Sequence, residues 1–251
     1  MHRFLSTIEE KTEKVQTPIS YRSTKRRIFE LLLLLLVFFI PGLIWQKQPA
    51  VQGNQALYML QSITIALPQV LMIAYLLWIE PNQIDRKRTL AGLGITWPRW
   101  NDLLSSVAIY LGIAALLLVV STLLALLPEK GRELLNTGFR WRLDDAGLIP
   151  LALVFCLSTA YREELFFRAY LLTRLEQLGL PAPIALILST MLFAAGHLYQ
   201  GFLGSIVALI IGFYFGLFFQ KRRNLHQIAL AHAFYNLSVL VLTAITDSNL
   251  V

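Results

Sequence analysis

The chain has 251 residues, of which 56% are hydrophobic and only 15% charged, with a formal net charge of +7. That balance excludes an ordinary soluble domain, where about a quarter of residues are charged. It also argues against a nucleic-acid-binding surface, because the Lys and Arg residues lie in short segments beside apolar runs instead of along one soluble face.

In chain order, residues 1–27 form a polar, basic arm, in which Arg22, Lys25, Arg26 and Arg27 are expected to meet anionic lipid. Seven apolar runs follow: Ile28–Trp45, Leu57–Ile79, Leu103–Leu127, Gly147–Leu172, Ala182–Tyr199, Phe202–Gln220 and Leu225–Ile245. About 20 helical residues match a hydrocarbon core of about 30 Å. The expected fold is therefore an all-α polytopic transmembrane bundle of about seven spanning helices, six to eight, forming a single domain over 28–251.

The first run is read as a retained span, since its leader is long and no A-x-A site follows Leu31–Ile40. Pro41 and Pro68 fall inside runs one and two and are expected to kink them. Run three has no ionisable residue and reads as lipid-facing scaffold. The lone Cys156 excludes an intrachain disulfide framework and a thiolate metal cluster, and reads as a small packer.

Orientation follows from charge. With a cytoplasmic N-terminus, segments 1–27, 80–102, 173–181 and 221–224 lie inside and hold most of the basic residues. The C-terminus then lies outside, in a multi-pass cell-membrane protein. In the outer segment 128–146, four acids balance four bases.

Polar side chains enter the apolar runs from Ala160 onward. Run four carries Tyr161-Arg162-Glu163-Glu164-Leu165-Phe166-Phe167-Arg168. A charge at membrane depth costs about 3 kcal/mol, so a cluster needs a reason. Glu164 and Arg168 are i, i+4 and can pair on one face, which leaves Glu163 about 100° around the helix. Arg162 and His226 read as interfacial residues.

Run five ends Phe193-Ala194-Ala195-Gly196-His197, and run seven contains His232-Ala233-Phe234-Tyr235-Asn236. With a turn near Leu178–Pro181, antiparallel neighbours bring Glu164 and His197 to one level. This holds if the polar end Thr173 to Gln177 projects roughly 10 Å beyond the membrane. A cavity opening toward the cytoplasm is expected.

The set Glu163-Glu164-x-x-x-Arg168, Phe193-x-x-x-His197 and His232-x-x-x-Asn236, in this order on three helices, resembles the CPBP family, which includes the CAAX prenyl proteases and bacterial relatives. The resemblance covers about residues 150–240. It implies an intramembrane endopeptidase acting on a peptide or protein substrate. Glu163 would be the general base that activates a water, His197 would bind or orient that water, and His232 with Asn236 would stabilise the oxyanion. Glu164 and Arg168 would hold the orientation of Glu163, and Phe193 would pack the pocket wall.

Bacterial members of the family are often linked to bacteriocin self-immunity, so a non-catalytic membrane adaptor is the alternative. A proton-coupled transporter fits less well, because the first three runs have no matching polar residues. The family has been described both as metalloproteases and as glutamate-dependent peptidases. Two histidines and two glutamates can ligate zinc. The absence of H-E-x-x-H and the divergence of adjacent glutamates favour a metal-free site with no cofactor.

Overall fold

The computed structural model describes residues 24–45, 54–79, 90–129, 143 and 145–248. The side chains of residues 41–45, 243, 244 and 246–248 lie outside that description. So do most of the expected basic arm, most of the charged segment 128–146 and the end of the C-terminal tail. All the elements described are helical: α1 (Thr24–Trp45), α2 (Gln55–Trp78), α3 (Trp100–Ala125), α4 (Ile149–Glu164), a π-helical stretch (Leu165–Leu172), α5 (Thr173–Gln177), α6 (Ala182–Ala195), α7 (Gly201–Arg222) and α8 (Leu225–Ser248).

Local chemistry sets the ends. Asn54 caps α2 by accepting from the Leu57 amide at 3.0 Å. Asp145 accepts from the Gly147 amide at 2.8 Å and opens the single turn that leads into α4, where proline occupies the first turn. Arg223 ends α7 in the left-handed conformation, with φ 45°. Pro68 is accommodated within α2. Next to it, Gln69 donates to the Val37 carbonyl at 2.9 Å and ties α1 to α2.

Five stretches are long and apolar enough to cross a membrane: Gln55–Trp78, Trp100–Ala125, Ala146–Gln177, Leu198–Arg222 and Leu225–Leu242. The expected count of seven is thus not reached among the described residues. The first expected run forms α1, whose side chains are described only to Ile40, and it is not among these five. The fifth, expected over Ala182–Tyr199, is a 14-residue helix ending at Ala195. At roughly 21 Å it is shorter than a hydrocarbon core.

The early stop of α6 has a visible cause. The His197 imidazole engages the Phe193 carbonyl through Nδ1 at 2.8 Å. The chain then makes a single 3-10 turn over Leu198–Gln200 and reverses at Gly201, whose φ of 80° suits a residue without Cβ.

Run four, by contrast, is longer than expected. It is helical from Ala146 to Gln177, 32 residues. Its far end is packed, with Thr173 and Arg174 buried. Arg223 donates to Thr173 Oγ1 at 3.0 Å and pairs with Glu176, and Gln220 donates to Glu176 at 3.0 Å. Arg27 reaches the Gln177 carbonyl at 3.0 Å, so this basic residue contacts protein as well as any lipid.

The π stretch lies at the centre of the bundle, and Phe166 through Leu172 are all buried. On one side Ala169 and Leu172 join Ile109 and Ile113 of α3, Phe215 and Phe219 of α7 and Ile228 of α8. On the other, Phe166, Phe167, Tyr170 and Leu171 join Leu31 and Leu34 of α1, Ile73 of α2 and Phe193 of α6. Cys156 is a buried packer beside Met59 and Leu240. Beyond Ile113 no residue of α3 is buried, as a lipid-facing helix requires.

Candidate active site

The junction of α4 with the π stretch carries two adjacent carboxylates into different surroundings. Glu164 is fully buried. Its Oε1 accepts from Arg168 Nη1 at 3.0 Å and lies 2.8 Å from His232 Nδ1. Arg168, also buried, sends Nη2 to the Gly212 carbonyl of α7 at 3.2 Å and lays its guanidinium over the Phe193 ring at 4.3 Å. This pairing of Glu164 and Arg168 is the one that i, i+4 spacing predicts.

Gly212 makes the arrangement possible, because a Cβ there would lie 3.0 Å from Phe193 and 3.4 Å from Arg168 Nη2. The π stretch supplies a second condition. Its wider turn re-aims the residues after Glu164, and Ser189 of α6 donates to the Phe167 carbonyl at 2.7 Å.

Glu163 lies on the neighbouring face and keeps 12% of its side chain exposed. Arg162 Nη2 donates to its Oε1 at 2.8 Å. Its Oε2 is 3.9 Å from His232 Nε2, too long for a direct hydrogen bond and short enough for one water to bridge. His197 is within electrostatic reach of the same carboxylate.

Phe193 sits between the histidines, its ring centroid 4.5 Å from that of His197 and 6.0 Å from that of His232. The structure thus brings together Glu163, Glu164, Arg168, Phe193, His197 and His232. Asn236 follows His232 by one turn of α8, partly buried and hydrogen-bonded to no other described residue.

The ring partners assign the tautomers. A carbonyl and an ionised carboxylate only accept, so Nδ1 carries the hydrogen in both His197 and His232. In the neutral form of either imidazole, Nε2 then carries the lone pair. Neither Nε2 is hydrogen-bonded to a described residue.

Sequence reading left two residues at the interface. His226 joins Tyr161 Oη at 3.0 Å and the Thr96 carbonyl at 2.7 Å. Arg162 is hydrogen-bonded to Glu163. A polar cluster around buried Asp102 was also missed: Asp102 accepts from Asn224 at 2.8 Å and Gln227 at 3.0 Å and braces α3 against the start of α8. A cavity of about 330 Å³ runs along α2, lined by Leu57, Leu60, Gln61, Thr64 and Ile65, and includes none of the site residues.

Residues 145–238 match the family described as Type II CAAX prenyl endopeptidase Rce1-like. Over that segment the chain is similar to the CAAX protease family, which supports the resemblance read from its motifs. The matched segment runs from the turn before α4 into α8 and contains Arg162 and all seven residues singled out in the family motifs. No curated protein matches the chain, and no solved structure does. The family match and the apolar helices together point to a multi-pass membrane protein.

Proposed function

We propose that the chain is an intramembrane endopeptidase in which Glu163 activates the hydrolytic water. The observation that carries this reading is the 3.9 Å gap between Glu163 Oε2 and His232 Nε2, next to a carboxylate whose other oxygen is already engaged. A water in that gap can donate one proton to Oε2. Its other hydrogen can go to an imidazole Nε2 lone pair; accepted by His197 instead of His232, it orients the attacking oxygen.

As the water oxygen bonds to the scissile carbonyl carbon, its proton passes to Glu163 and negative charge develops on the carbonyl oxygen. The Asn236 amide is a neutral donor for that oxyanion. His232 becomes a donor only when Nε2 gains a proton, because its Nδ1 hydrogen is committed to Glu164. Glu163 is the nearest source. When the carbon–nitrogen bond breaks, the proton goes to the leaving amine, and the carboxylate and neutral imidazole are restored.

The donor set does not fit a resident metal. Glu164 is engaged by Arg168 and His232, and Oε1 of Glu163 by Arg162. Among the described residues no three His, Cys, Asp or Glu side chains converge as ligands. We read the chemistry as metal-free, with a cytoplasmic N-terminus in the cell membrane and the basic ends of α5 and α7 on that same side.

The test is cleavage of a fluorogenic peptide library by purified protein in nanodiscs, comparing wild type with Glu163→Ala, His197→Ala and His232→Ala, each with and without chelator. Loss in all three folded variants, with no effect of chelator on wild type, is expected. Cleavage by Glu163→Ala would overturn the assignment of the base, and inhibition by chelator would overturn the metal-free reading. A silent, folded wild type would favour the non-catalytic adaptor.

A further inference from the structure

Hydrolysis as proposed uses one oxygen of Glu163, and a carboxylate left to rotate about its last torsion would offer that oxygen only part of the time. Helix geometry does not solve this by itself. Side chains at i and i+1 diverge by about 100° and do not ordinarily face each other. Yet Arg162 Nη2 lies 2.8 Å from Glu163 Oε1, with the two side chains only 20% and 12% exposed. It is the one hydrogen bond that the Glu163 carboxylate makes to a described residue.

The other groups around Glu163 do not substitute for it. His232 Nε2 stops at 3.9 Å, and Glu164 and Arg168 are closed on each other and on His232. His197 is committed through Nδ1 to its own helix. Tyr58 of α2 and Tyr199 of the 3-10 turn lie within electrostatic reach of both Arg162 and Glu163 and wall this side of the pair.

We infer that Arg162 is a positioning residue for the hydrolytic site: its guanidinium holds Oε1 of Glu163 and so presents Oε2 to the gap facing His232. It acts through Glu163 and need not touch the reacting atoms. The bond is charge-assisted, and both side chains keep some exposure, so the pair orients the carboxylate without sealing it. The inference rests on the reading of Glu163 as the base.

The experiment uses the full chain in nanodiscs and the internally quenched peptide that the wild type cleaves fastest. It measures kcat, KM and melting temperature for Glu163→Gln, Arg162→Gln and Arg162→Lys. Arg162→Gln is expected to lower kcat about 10- to 100-fold, the usual cost of removing a group that orients a functional one, with KM and melting temperature unchanged. Arg162→Lys keeps the charge without the planar fork and is expected to recover part of the loss.

Wild-type kcat in Arg162→Gln, with Glu163→Gln inactive, would overturn the inference and leave the base assignment standing. Wild-type kcat in Glu163→Gln would instead remove the base assignment, and the inference with it. A fall in both kcat and melting temperature that Lys does not restore would mark Arg162 as structural and also overturn the inference.

Discussion

Glu163 and Glu164 are neighbours in sequence, yet they stand in two different regions of the bundle. On the sealed side, Glu164 and Arg168 have side chains 0% and 2% exposed and are engaged by His232 and the Gly212 carbonyl. On the open side, Glu163 and Arg162 stay partly accessible, and Oε2 faces a gap. A helical rotation of about 100° separates the two. A carboxylate whose partners fill its surroundings holds structure, whereas one that stays partly exposed and keeps an oxygen without a hydrogen bond to a described residue is available to exchange a proton.

The sharpest way to break this comparison is Arg168→Met. On the sealed side it leaves the Glu164 charge without its main partner, which costs about 3–5 kcal/mol. The variant is expected to lose both thermal stability in detergent and peptide cleavage. A normal melting temperature would mean that the sealed pair is not structural.

On the open side the expected pattern is reversed. Asn236→Ala should leave the melting temperature unchanged and lower kcat about 10²- to 10³-fold, the usual cost of removing one oxyanion donor. Single-turnover cleavage of the quenched peptide measures it, and an unchanged rate would exclude Asn236 from the oxyanion site.

Gly212→Ala probes the wall between the two sides. A methyl group would crowd Phe193 and Arg168, and overpacking of this kind costs about 1–3 kcal/mol. A lowered melting temperature is expected, and activity should fall because both groups adjoin the histidines.

His226→Gln touches neither carboxylate, although its partner Tyr161 directly precedes Arg162, and it sets the baseline of the comparison. It removes the contacts to Tyr161 and Thr96, and each hydrogen bond is worth about 1 kcal/mol. A small loss of stability with unchanged kcat is expected. A large loss of activity would extend the functional region to the contact between Tyr161 and His226.

Much of the architecture was legible in the sequence because a membrane makes composition informative. Apolar runs of spanning length stand out, and the cost of polar groups at depth makes Glu163, Glu164, Arg168, His197, His232 and Asn236 conspicuous against Leu, Ile and Phe. The i, i+4 contact of Glu164 with Arg168 follows from helical geometry alone. The count of seven spans is not confirmed, and the fifth run differs from its expected length at Ala182–Tyr199, where hydropathy continues past the point at which His197 takes the Phe193 carbonyl and the helix ends. Gly196 and Gly201 were the available signals.

The sequence by itself determined an all-helical membrane protein, the segment carrying its chemistry and the residue types available for a site. It could not decide the π stretch, since Leu-Phe-Phe-Arg-Ala-Tyr-Leu-Leu reads as ordinary helix and the wider turn is compatible with contacts from α1, α6 and α7. Nor could it decide that Arg162 turns to Glu163, or which imidazole nitrogens are committed. Those outcomes depend on what stands across from each side chain, and only packing between distant helices brings a Phe193 carbonyl, a Glu164 carboxylate or a Gly212 backbone into the places where they select one arrangement.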